Sequence, residues 1–135
     1  MFYFNGTTGY GIAYLYDTSD RPEGYGGGGG GNFDSHSALF AMDIRTGAIK
    51  WKHEHASAGG GGMNGGVLTT AGKLLFTGDS GDLVAFDPAT GKPMWRQRLT
   101  QPVSNGPSSW MLDGKQYLMV AAGDTLDALT LARQR

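Results

Sequence analysis

The chain has 135 residues, a formal net charge of −1 and no cysteine. That length allows at most one ordinary domain, and scattered charges of both signs give no electrostatic case for nucleic acid or an anionic membrane as partner. Without cysteine, disulfides, thiolate zinc sites, cysteine nucleophiles and Cys-x-x-Cys-His haem attachment are excluded within the chain, and no apolar run approaches the ~20 residues that span a bilayer.

Met1-Phe2-Tyr3-Phe4 has no basic leading region and opens directly as a strand, so the chain reads as a piece of something longer. Aromatic residues at 2–4, and again across 10–16, favour extended structure, with Asn5-Gly6 and Thr8-Gly9 as breaks. Asp17 to His36 has no periodicity and contains the glycine run 26–31, which reads as a long loop inserted between two strands of one sheet. That run is no phosphate loop, because it lacks the Gly-Lys-Ser/Thr ending and a following helix.

From Ser37 the pattern sharpens. Strands are expected at Ala38–Asp43 and Ala48–His55, around a turn at Ile44–Gly47. A glycine-rich connection, Ala56–Asn64, leads to strands at Val67–Thr70, Leu74–Thr77, Leu83–Asp87 and Pro93–Leu99. Three more follow at Ser108–Leu112, Tyr117–Ala122 and Leu126–Leu131. No segment keeps a 3.6-residue apolar period, so no helix longer than a turn is expected. Four short antiparallel strands with a turn every few residues make a propeller blade. The expected fold is all-β: a partial β-propeller of about two to three four-stranded blades. Residues 1–55 would form a partial blade with the glycine-rich insertion 17–36, residues 56–99 a complete blade, and 100–135 a last blade lacking its final strand.

One pattern occurs twice. Ala41-Met42-Asp43-Ile44-Arg45-Thr46-Gly47-Ala48-Ile49-Lys50-Trp51 and Ala85-Phe86-Asp87-Pro88-Ala89-Thr90-Gly91-Lys92-Pro93-Met94-Trp95 both read Ala-x-Asp-x-x-Thr-Gly-x-x-x-Trp. A repeat at such a spacing signals a propeller or solenoid. The aspartate can accept backbone N–H groups two or three residues on, and the threonine hydroxyl adds a local bond. Glycine supplies positive φ where the chain reverses, alanine keeps one strand thin, and tryptophan lies across the gap with its indole N–H needing an acceptor. The role is structural, so neither Asp43 nor Asp87 is a candidate base. A third copy is broken: Ala128 aligns with Ala85, Thr130 takes the place of Asp87, and the Thr-Gly-x-x-x-Trp tail is missing.

These motifs resemble the tryptophan-docking motif of quinoprotein dehydrogenases, eight-bladed propellers that use pyrroloquinoline quinone (PQQ) and calcium to oxidise alcohols or sugars. Gly65-Gly66-Val67-Leu68-Thr69-Thr70-Ala71-Gly72-Lys73-Leu74-Leu75-Phe76-Thr77-Gly78 is similar to the family's strand pair near the C-terminal end, and Leu112–Gly123 resembles the pair that follows. The resemblance covers about Ser37 to Leu131. It implies that the segment Met63-Asn64-Gly65-Gly66 lies beside the quinone, with Asn64, Gly65 and Gly66 as cofactor contacts. An amide can hydrogen-bond a quinone oxygen, and glycines let backbone approach a flat ligand. A glycine-rich connection touching no ligand reads equally well.

The resemblance further implies a periplasmic enzyme that moves hydride from a primary alcohol or sugar hydroxyl to quinone C5, with calcium polarising the quinone and a cytochrome or quinone accepting electrons. The calcium ligands and catalytic aspartate belong to earlier blades of the family, so this chain is expected to carry no catalytic or metal-binding residue and to be inactive alone. The alternative is a non-catalytic propeller scaffold of the envelope-assembly type. The remaining blades, or self-association, would close the ring. His53 and His55 share one strand face but have no third ligand near them in sequence, while Asp79, Asp82 and Asp124 read as solvated turn residues.

Overall fold

A computed structural model describes residues 1–8, 11–15, 29–33, 36–55 and 65–130. Those residues are all strand, turn and connection, with no helix among them. The strands are β1 (Phe2–Thr8), β2 (Gly11–Leu15), β3 (Gly29–Phe33), β4 (His36–Met42), β5 (Ile49–Glu54) and β6 (Leu68–Thr69). They continue with β7 (Leu75–Asp79), β8 (Asp82–Phe86), β9 (Pro93–Arg98), β10 (Ser108–Leu112), β11 (Lys115–Ala122) and β12 (Thr125–Thr130).

Every pairing is antiparallel. The main sheets run β1-β4-β5, β6-β7-β8-β9 and β10-β11-β12, and β2-β3 forms a separate two-stranded ribbon. The fold is the partial propeller that the repeat implies, with one four-stranded blade between two three-stranded ones. Among the described residues the first sheet has no strand at the place of β6, and the last has none at the place of β9. In both the first and the middle sheet the strand register slips by one residue beside the motif alanine, at Ala41/Met42 and Ala85/Phe86.

Two sequence expectations are corrected. Asn5-Gly6 is no break but the middle of β1, because Asn5 pairs with Leu39 and Gly6 with Ala38 along a continuous ladder; sheet pairing overrides the local turn preference. The glycine run is not all loop either, since Gly29–Phe33 pairs with Gly11–Leu15.

The apolar core is divided. One cluster unites Leu39, Leu75, Val84 and Phe86, with Tyr3, Trp51 and Val67 packed against it. A second unites Leu83, Val103 and Val120, with Phe76, Leu99, Leu118 and Leu129 around it. Each cluster takes residues from two consecutive sheets, so the hydrophobic gain is made between sheets. A stack of blades shares this property with other repeat folds, whose units do not bury a face alone.

Candidate functional site

The two turns of the repeat are built alike. Asp43 Oδ1 accepts the N–H groups of Arg45 at 2.9 Å and Thr46 at 3.3 Å, and Gly47 N–H reaches the Asp43 carbonyl at 2.8 Å. In the second copy Asp87 Oδ1 accepts Ala89 N–H at 2.8 Å, Asp87 Oδ2 accepts the Thr90 hydroxyl at 2.9 Å, and Gly91 N–H reaches the Asp87 carbonyl at 2.8 Å. Gly47 and Gly91 have φ of 72° and 73°, the left-handed region where a Cβ is unfavourable. Backbone N–H donors hold both carboxyls below the usual carboxylate range; Arg45 contributes most at Asp43 and Ala89 most at Asp87.

Trp51 joins the first sheet to the second. Its indole N–H donates to the Pro88 carbonyl at 3.1 Å, and the same carbonyl accepts the Tyr3 hydroxyl at 3.0 Å. Burial, then the charge of Asp87, raises the Tyr3 phenol above its ordinary value. A Cβ on Gly91 would lie 2.5 Å from the Trp51 ring, so that glycine serves both the turn and the indole. Trp95 is 42% exposed. The positions that match Pro88 and Gly91 in the next repeat fall within residues 131–135, outside the described residues.

Beyond Trp51, alternate residues of β5 point at the second sheet. His53 lies edge-on to Phe86, with ring centroids 4.8 Å apart, and its Nε2 is 3.4 Å from Asp79 Oδ2. His55, two residues on, has a side chain only 1% exposed, and its Nδ1 is 3.2 Å from Asp79 Oδ1. Asp79 also accepts Arg96 Nη2 at 3.0 Å and the Ser80 hydroxyl at 3.1 Å. Arg96 Nη1 reaches Asp82 at 2.7 Å and Arg98 reaches it at 3.2 Å. The hydrogen bond to Asp82 is the main cause that pushes the Arg96 guanidinium further above its ordinary value. Asp79 and Asp82 are buried, which corrects their reading as solvated turn residues; Asp124 is exposed as expected. Sequence spacing hid this arrangement because Asp79 comes to the histidines only through the packing of two sheets.

Of the residues expected to contact a cofactor, Asn64 lies outside the described residues. Gly65 is buried, and its carbonyl accepts Asn5 Nδ2 at 2.7 Å. Gly66 is exposed and sits against Gly106, whose Cα would be 2.9 Å from a Cβ placed on Gly66. The absence of a side chain at Gly66 is thus needed by a protein neighbour. The two exposed glycines leave a Cβ-free surface where the entry to β6 meets the entry to β10.

A family model described as outer membrane protein assembly factor BamB (PQQ_2) matches residues 35–133. The chain belongs to this PQQ_2 family of quinoprotein-type propellers. It is 42% identical to the quinohemoprotein alcohol dehydrogenase of Comamonas testosteroni over 86 residues, which are 63% of the chain and 12% of that protein. It is 39% identical over 94 residues to quinoprotein alcohol dehydrogenase PedE of Pseudomonas putida, 67% of the chain and 14% of that protein. The crystal structure of the Comamonas testosteroni enzyme superposes with a TM-score of 0.60 at 34% identity, covering 78% of the chain and 14% of the enzyme. A europium-containing methanol dehydrogenase superposes at 0.56 and 30% identity, covering 62% of the chain and 14% of the enzyme. The chain thus spans about one-seventh of the length of the proteins it matches.

Proposed function

We propose that these sheets form the C-terminal blades of a PQQ-dependent dehydrogenase that oxidises a primary alcohol or sugar hydroxyl, and that the isolated chain is inactive. The observation that supports this best is the 42% identity, over 86 residues, to a quinohemoprotein alcohol dehydrogenase. In this reading residues 1–55, 56–99 and 100–135 are three successive blades, and the ring is closed by further blades or by self-association. The quinone, when bound, supplies the hydride acceptor. Within this chain Asn64, Gly65 and Gly66 would stand beside it: Asn64 by an amide hydrogen bond, and Gly66 with Gly106 as a flat backbone surface for a planar ring. The exposed contact between those two glycines fits such a ligand.

The metal partner of the quinone is proposed to be calcium, held outside this chain; one similar enzyme is described with europium instead. A periplasmic location, and a cytochrome or quinone as electron acceptor, belong to the same reading. Two similar proteins are named 1-butanol dehydrogenases, one with cytochrome c and one with quinone. The test is PQQ titration of the completed ring, followed by its absorbance, together with dye-linked oxidation of ethanol. Asn64→Leu should weaken quinone binding about tenfold, the loss of one hydrogen bond. Dye-linked oxidation by the 135-residue chain alone, with quinone and calcium added, would contradict the proposal.

A second reading, a non-catalytic envelope-assembly scaffold, is favoured by the description of the matching family model. It expects no quinone absorbance change in the completed ring, and wild-type behaviour of Asn64→Leu.

A further inference from the structure

The cluster between β5 and β7 has a feature that packing alone does not require. The Asn5 amide is fixed in orientation because its Nδ2 donates to the Gly65 carbonyl at 2.7 Å and to Thr77 Oγ1 at 2.9 Å, and a carbonyl can only accept. Asn5 Oδ1 therefore faces His55 Nε2, 3.2 Å away, as an acceptor. His55 must carry its proton on Nε2, and in the neutral ring Nδ1 is then a bare lone pair. That atom is buried, has no hydrogen-bond partner among the described residues, and lies 3.2 Å from the Asp79 carboxylate. Two acceptors face each other across a buried gap, an arrangement that calls for a cation between them.

The geometry points to a binding site for a divalent transition cation of the zinc or cobalt type, with His53 Nε2, His55 Nδ1 and one Asp79 oxygen as ligands. One ligand atom from each of the three residues lies within 4.8 Å of the other two. A tetrahedral ion with metal–ligand bonds near 2.1 Å asks for separations of about 3.4 Å, so closure requires side-chain shifts of about 1 Å. Imidazole and carboxylate suit such an ion, and three protein ligands leave a fourth position for water. His53, with 22% of its side chain exposed, gives the ion its route in. Asn5 plays the orienting part, holding the far nitrogen of His55 and thereby its tautomer. Arg96 competes for Asp79 but has a second and closer partner in Asp82, so it can yield. The site would pin the first sheet to the second beside Trp51. It does not depend on quinone binding or on the proposed reaction.

The test is titration of the purified chain with Co²⁺ alone, followed by visible absorption, then displacement by Zn²⁺. One ion per chain with the intense bands of four-coordinate cobalt, bleached by Zn²⁺, is expected. His53→Gln and Asp79→Asn should each weaken cobalt binding about tenfold or more, and Asn5→Leu by a similar factor. His36→Gln, exposed at the start of β4, should leave it unchanged. If Asp79→Asn does not fold, the part-exposed His53 variant carries the comparison alone. Equal loss in His36→Gln and His53→Gln would assign the binding to surface histidines and overturn the site. So would nitrogen-15 spectra showing both His55 ring nitrogens protonated at neutral pH and unmoved by Zn²⁺, which would make a proton the occupant.

Discussion

The two contacts between successive sheets solve one packing problem with opposite chemistry. Between the first and second sheets, Trp51 and His53 on β5 and His55 just past its end lie two residues apart in turn, and the two histidines meet the buried Asp79. Between the second and third, the matching positions are Trp95, Gln97 and Leu99, and Leu99 packs on Leu83, Val103 and Val120. Asp79 closes its hairpin against Asp82, and the residue at that place in the next sheet is Ala122, paired with Thr125. A histidine–carboxylate contact has thus been exchanged for leucine and alanine at the same register. The backbone geometry of a blade therefore leaves the chemistry of its flank free, and the first contact carries ionisable groups that packing does not demand.

The largest expected effect separates the two tryptophans. Trp51→Ala should cost about 3–5 kcal/mol, because it removes a half-buried indole from the contact between the sheets and leaves the Pro88 carbonyl with the Tyr3 hydroxyl as its side-chain donor. Trp95→Ala should cost about 1 kcal/mol, as for a largely exposed side chain. Thermal melts of equal depression for both would break the comparison. The glycines sharpen it: Gly91→Ala meets the Trp51 ring at 2.5 Å, whereas Gly47→Ala meets nothing within 4 Å. Both incur about 1–2 kcal/mol for the left-handed backbone, and only Gly91→Ala adds an overpacking cost of about 1–3 kcal/mol.

The polar contact can be converted into its apolar counterpart. Arg96→Ala should destabilise by about 1.5–3 kcal/mol, since buried Asp79 loses a charged hydrogen bond. The double change His55→Leu with Asp79→Ala copies Leu99 and Ala122, and should recover most of the stability lost by His55→Leu alone. Replacing a buried ionic set with apolar residues is often neutral or better, whereas removing one member is not. Additive losses in denaturant melts would show that the polar contact is not interchangeable with the apolar one.

Most of the fold was legible because the repeat fixes phase. Once Ala41 and Ala85 align, β4, β5, β8 and β9 follow, and the turn chemistry of Asp43, Thr46 and Gly47 is local. What escaped was set by partners distant in sequence. Asn5-Gly6 carries turn residues but lies in a ladder with β4, and β3 is a strand only because β2 pairs with it. Asp79 and Asp82 sit in a Gly-Asp-Ser-Gly-Asp stretch that reads as exposed turn, and nothing local says that His53 and His55 will meet the first and Arg96 and Arg98 the second. Gly66 reads from the sequence as room for a flat ligand, and the neighbour the fold sets against it is Gly106, some forty residues on. Proximity of that kind leaves no trace in one chain.

The smallest predicted effect concerns the repeated turns themselves. In the folded chain both Asp43 and Asp87 titrate below their usual value, because N–H groups at Arg45 and Ala89 prefer the ionised form. A carboxyl whose folded value is lowered contributes stability above its unfolded value, about 4, and loses it as pH falls through the folded value. Melting temperature should therefore hold from pH 7 to about 5 and decline below about 4. Asp43→Asn and Asp87→Asn should each lie slightly below wild type at pH 7, and the gap should shrink as pH falls below about 4. The two need not match. The Asp87 turn carries Trp51 on Pro88 and Gly91, so its loss also loosens a contact between sheets, whereas a Cβ on Gly47 in the Asp43 turn would meet nothing within 4 Å. A larger gap for Asp87→Asn than for Asp43→Asn would tie the turn to the docking of the indole; identical gaps would mean that each aspartate stabilises its own turn and nothing beyond it.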